Sequence, residues 1–154
     1  MITNIILLST LIAYSMIVSQ SFMYIFSLKQ VQLGLEASPY IELRKLTDTS
    51  MRNNFKYAVY AVLLTNLLLV IVTGKDPGSL LFITSAVAFV AVIADTLLTV
   101  KGSLPINDTI NNWTMDHYPA DWADHRKKWL EIFRYRQVAN IIGFLSLLIG
   151  AVFG

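Results

Sequence analysis

An aspartate stands at position 95, inside the apolar run "VAFVAVIADTLLTV", and an arginine stands at 136 in "EIFRYRQVAN". Ionised groups among apolar residues are costly unless each finds a partner. Two uses are open. The two side chains can form a structural ion pair, or Asp95 can handle a proton or anchor a substrate; buried pairs occur inside and outside active sites alike. A second set of residues lies nearby. Trp122, Arg126, Trp129, Phe133, Arg136, Asn140 and Gly143 recur at alternating four- and three-residue intervals, which places them along one helical face. That stripe is too polar for lipid and too aromatic for water. It predicts a face turned towards other helices or a cavity, with an interfacial aromatic belt as the competing reading. Lys127, Lys128, Glu131 and Arg134 fall largely off the stripe, with Arg134 in reach of lipid headgroups.

Other chemistry is mostly excluded. Asp121, Asp124 and His125 have a spacing that permits metal ligation. Acids at a helix start also complement the helix dipole, and no metal site is expected. The two histidines lie outside the apolar spans, so a bis-histidine haem within the bundle is not expected. The chain has no Cys, which removes thiolate metal sites, disulfides and thiol redox chemistry. No phosphate-binding loop, nucleotide fingerprint or Ser/His/Asp set is visible. No cofactor is implied, and nucleic acid is not an expected partner. "NDT" and "NWT" match the glycosylation pattern formally, but on segments predicted to be cytoplasmic.

The elements that must position these residues are membrane helices. Of 154 residues, 55% are hydrophobic and 14% charged. Four segments, at about 2–28, 57–73, 79–100 and 138–153, approach the roughly 20 apolar residues that a span needs. Spanning backbone must satisfy its own hydrogen bonds, so these are helices. The predicted fold is all-α: one domain over residues 1–154, a four-helix bundle in the lipid bilayer. The opening "MITNIILLST" reads as a retained first span. Eleven of the twelve Lys and Arg fall in or beside two long connections, 29–56 and 101–136, and only Lys75 lies at the other end. Positive residues stay cytoplasmic. Both connections are therefore expected inside, with both termini and the "GKDPGS" turn outside, in the inner membrane if the source is bacterial. Gly74 is expected in a left-handed C′ position, with Asp76 and Pro77 starting the next helix. Helix two is expected to extend below the membrane from Ser38-Pro39, and helix four from Pro119 with Asp121 in its first turn. Pro105 and the residues after it predict a short helical connection. Oligomeric state is not set by the sequence.

Helical rise gives depth. Counted from the outer ends at roughly 1.5 Å per residue, Asp95, Lys56, Arg136 and Gln20 lie about 24, 26, 26 and 27 Å down. All four helices thus place a polar group in one layer near the inner boundary of the bilayer. The stripe Ser85, Ala88, Val92, Asp95 and Thr99 is small and polar, as helix contacts in membranes favour.

The segments "LPINDTINNW" and "PADWADHRKKWLEIFRYR" resemble the small four-helix membrane family that contains the fungal anthrone oxygenases. The shared pattern is Pro105 and Asn107, Trp113, Asp121-Trp122, Arg126, Trp129 and Arg136, with "MRNNF" similar to the stretch entering helix two. Where family members often carry Asn or His, this chain has Phe133. The resemblance implies oxygenation of a polycyclic phenolic anthrone to a quinone, without an obvious metal or haem. Asp95 or Asp121 would be the base, Arg126 or Arg136 the cation, and the Trp rings the cleft walls. The alternative is a non-catalytic membrane protein that binds a lipid, a quinone-like molecule or a partner subunit through the same face. A proton-coupled transporter using Asp95 is disfavoured, because no span is interrupted and no inverted duplication is evident. The expected site is a cavity at the cytoplasmic mouth of the bundle for a flat hydrophobic ligand. Gln20, Lys56, Asp95 and Arg136 would form its floor, and Trp122, Trp129 and Phe133 would continue the face. Asn107 and Trp113 would close over it.

Overall fold

A computed structural model describes all residues 1–154. The chain forms four long rods: α1 (Ile2–Gly34), α2 (Ala37–Thr73), α3 (Leu80–Asn111) and α4 (Trp122–Phe153). Each contains a window apolar and long enough to cross a membrane. At roughly 1.5 Å per residue even the shorter rods approach 50 Å, against a hydrocarbon core of about 30 Å. They therefore protrude, and they do so at the end rich in Lys and Arg. Consecutive helices pack side by side and α4 closes the ring against α1. The protein is an integral multi-pass four-helix bundle.

The helix ends differ in detail from the sequence expectation. Gly74 is right-handed (φ −63°, ψ −5°), not left-handed. Ser79, rather than Asp76, caps α3: its hydroxyl accepts from the Phe82 N–H at 3.2 Å, and the helix begins at Leu80, three residues beyond Pro77. The six-residue turn has room to lay Asp76 and Pro77 in the loop, where Ser79 Oγ also donates to the Asp76 carbonyl. Asp121 precedes α4 without a side-chain cap, and Asp124 is the acid in the first turn. Pro105 does not open a separate connection. Proline lacks only a donor, and near the start of a new hydrogen-bonding register that loss is small; α3 runs through it to Asn111.

Two apolar clusters hold the bundle. One, around Tyr14, Ile17, Val62, Leu69, Val92 and Leu147, fills the spanning half. The other, around Tyr24, Tyr40, Ile110, Trp113, Trp129 and Phe133, fills the protruding half. On every helix the polar residues Gln20, Lys56, Asp95 and Arg136 fall in the stretch between the two. The spanning half closes tightly because α4 presents glycine there. A Cβ on Gly143 would meet the Tyr14 hydroxyl at 1.9 Å, and one on Gly150 would meet Thr84 Oγ1 at 2.1 Å. Small residues let membrane helices approach where burial against lipid supplies little drive.

Candidate functional site

The layer between the clusters contains a cavity of about 310 Å³. Asp95 and Arg136 form its base, with Arg136 Nε donating to Asp95 Oδ1 at 2.7 Å and both side chains at most 10% exposed. The matching depths that predict this pair are realised as contact. Arg136 Nη1 also reaches Ser103 Oγ at 3.4 Å. Asp95 Oδ2 takes no hydrogen bond from the protein. Gln20 of α1 and Lys56 of α2 complete the floor, and Lys56, which is exposed, makes no ion pair.

The walls come chiefly from α2 and α3, and both helices loosen there. Met51–Phe55 and Thr99–Ser103 each form a π turn, and α1 has a third at Tyr24–Leu28. Such turns are rare, appear singly inside α-helices and often accompany functional sites, because the extra residue re-aims the side chains beyond it. Met51, Arg52, Phe55, Thr99, Val100 and Ser103 all line the cavity. Tyr60 and Val100, 62% and 54% exposed, stand where it opens between α2 and α3 towards lipid.

Below the floor, α2 and α3 are tied by a network centred on Asp48. Asn107 accepts from Arg44 Nη2 and donates to Asp48 Oδ1, both at 2.7 Å. Asp48 Oδ2 receives Asn111 and Arg52, each at 2.8 Å, and Arg52 also reaches Asp108 at 2.6 Å. Both Asp48 oxygens are therefore occupied. Arg44 stacks on the Trp129 ring at 3.9 Å. Arg44 Nε and Trp129 Nε1 are buried donors with no acceptor in the protein.

The sequence-derived site residues divide between this cavity and other duties. Gln20, Asp95, Asn107, Trp129 and Arg136 line it. Phe133 is buried against Tyr24, ring centroids 4.3 Å apart, because α4 turns it towards α1. Trp113 does not lie over the cavity: it is buried in the lower cluster, edge-on to His125 at 5.1 Å. Trp122 stacks near Tyr40 and under Arg126. Arg126 Nη1 donates to the Gln32 and Leu35 carbonyls at 2.8 Å, closing the end of α1. Arg126 is thus a cap for α1, whose last carbonyls need donors. Burial pushes the Tyr40 hydroxyl up to about 12 against the opposing pull of Arg44 and Arg126. It stays a neutral phenol. Asn140 is buried a turn above Arg136 and outside the cavity, and Asp121 is exposed at the far end. Asp121, Asp124 and His125 do not converge on a point able to hold a metal ion.

Sequence reasoning overlooked Arg44, Asp48, Arg52 and Asn111 as members of one set. The signal was present: positions 44, 48 and 52 are four apart, on one face of α2.

No family model, curated protein or solved structure matches this chain. The class is therefore defined by its own fold and site. It is a multi-pass four-helix membrane protein with a cavity, lined by aromatic and cationic side chains, where its spanning and protruding halves meet.

Proposed function

We propose that the cavity binds a flat, apolar molecule carrying phenolic or carbonyl oxygens, and that the bound molecule is oxygenated without a resident cofactor. The observation that carries this reading is the surplus of donors. Arg44, Arg52, Lys56 and Arg136 face two carboxylates, Asp48 and Asp95, both already ion-paired or hydrogen-bonded. A neutral or anionic acceptor oxygen is the natural partner for that excess. Phe55, Tyr60 and Trp129 supply the apolar surface, and ligand sites combine these two features in volumes from about 300 Å³ upwards. The long connections are cytoplasmic in this reading, so the cavity lies at the inner boundary of the membrane, where a lipid-soluble substrate collects.

For an anthrone-like substrate, Asp95 Oδ2 takes a proton from the methylene carbon, and Arg136 or Lys56 holds the enolate oxygen. The enolate passes one electron to dioxygen, and recombination forms the C–O bond of a hydroperoxide. Loss of water breaks the O–O bond and leaves the carbonyl. One oxygen atom ends in the quinone and the other in water, and the substrate supplies every electron. The protein contributes a positioned base and an electrostatic cradle.

A second reading, non-catalytic binding of a quinone-like molecule, is favoured by the engagement of Asp95 with Arg136, the arrangement of a purely structural pair. One experiment separates the two. Purified protein is mixed with a hydroxylated anthrone, and Trp fluorescence reports binding while an oxygen electrode and quinone absorbance report turnover. Oxygen uptake above the spontaneous rate, lost in Asp95→Asn with binding retained, supports the oxygenase. Binding without uptake supports the second reading, and absence of both removes the cavity as a site for this class of molecule.

A further inference from the structure

A second recess lies on the opposite side of the bundle, between α1 and α4, and shares no residue with the cavity. It is an open groove of about 580 Å³. Tyr24, Leu130 and Phe133 give it an apolar wall, and Lys29, Lys127 and Arg134 stand exposed around it. Asp124 and Glu131 also line it, yet none of these three cations is in an ion pair. Arg126 adds a fourth positive charge, although its Nη1 is committed to the α1 carbonyls.

Depth decides what such a groove meets. Counted from the outer end of each rod at roughly 1.5 Å per residue, Arg134 lies about 28 Å down α4, and Lys29 and Lys127 lie about 40 Å down. With a hydrocarbon core of about 30 Å, Arg134 sits at its edge and both lysines sit in the headgroup layer. Tyr24 and Phe133 face the last of the acyl region. An apolar wall that gives way to unpaired cations at this depth matches one molecule, a lipid with a negatively charged head. We propose that the groove binds an anionic phospholipid, its phosphodiester against Lys29, Lys127 and Arg134 and its chain along Tyr24 and Phe133. Basic recesses between spanning helices are suited to such heads, and each cation near the surface adds attraction to anionic lipid. The proposal is independent of what the cavity binds.

Native mass spectrometry of the purified full chain in mild detergent tests it, with phosphatidylglycerol as the probe and phosphatidylcholine as the neutral control. The wild type retains phosphatidylglycerol over phosphatidylcholine. Lys29→Gln with Arg134→Gln lowers phosphatidylglycerol retention by about 25-fold, roughly fivefold per cation, with phosphatidylcholine unchanged. Lys29→Arg with Arg134→Lys, which keeps the charge, preserves the preference. Both positions are exposed, so both double variants fold, and a melt in detergent checks this. Equal retention of the two lipids by the wild type overturns the proposal. So does a wild-type preference in the Gln variant.

Discussion

Asp95→Ala leaves the Arg136 guanidinium in a site where its side chain is 10% exposed and its one remaining protein contact is Ser103 at 3.4 Å. Removing one partner of a buried pair costs about 3–5 kcal/mol, because the other charge stays desolvated. Arg136→Met should cost a similar amount by stranding Asp95. Removing both charges is nearly neutral by the same reasoning, so Asp95→Ala with Arg136→Met should recover most of either loss. The two single losses would sum to about 6–10 kcal/mol if independent, so a double variant near wild type implies a coupling of several kcal/mol. Equilibrium unfolding of the four proteins in mild detergent measures it. The contribution of Ser103 is checked by Ser103→Ala, where loss of a 3.4 Å contact should change little. Additive losses in the double variant would refute the reasoning. They would mean that lipid headgroups or water solvate each charge separately.

Gly150→Ala should destabilise by about 1–3 kcal/mol, the range for overpacking, because the new methyl meets Thr84 Oγ1; Thr84→Ala should restore much of this in the same unfolding assay. Asn107→Ala strands Arg44 Nη2 and Asp48 Oδ1 at once, so a loss of about 2–4 kcal/mol is expected, with Asn107→Gln failing to repair it through its extra methylene. For topology, Asp116→Cys should resist an impermeant external thiol reagent in intact cells and Lys75→Cys should react; the chain has no background thiol, and the opposite result reverses the orientation.

Much of the architecture was legible because a bilayer imposes simple rules. Length and apolarity give four rods, and a charge among apolar residues must find a partner, which brings Asp95 to Arg136 from depth alone. The α4 stripe was legible too: Trp129, Phe133, Arg136, Asn140 and Gly143 all turn inwards. Depth along a rod does not say which neighbour a face meets. Trp129 turns to the cavity, while Phe133, one turn away, packs on Tyr24 of α1. Trp113 and Trp122 were read as cavity walls because aromatic rings suit ligands, yet rings serve equally to fill the protruding core. The Asp48 network escaped notice because α2 reads there as a solvated basic segment. Its burial depends on α3 continuing past Pro105 to bring Asn107 and Asn111 alongside. The π turns leave no mark in hydropathy, since they change how residues are spaced and not which residues are present.

Those turns bear on how the chain can change in length. A π turn holds one residue more than an α turn, so it can absorb a single insertion while the helix on either side keeps its own packing. Thr99–Ser103 shows the effect: Ser103, not Gly102, takes the buried place eight residues below Asp95. Deleting Val100 would let that stretch close into regular α-helix and swing everything below it by about 100°. Asn107 would leave Asp48 even though neither residue had been altered. The waist of the bundle is thus where the two halves are phased against each other, and a gap of one residue there is a rotation.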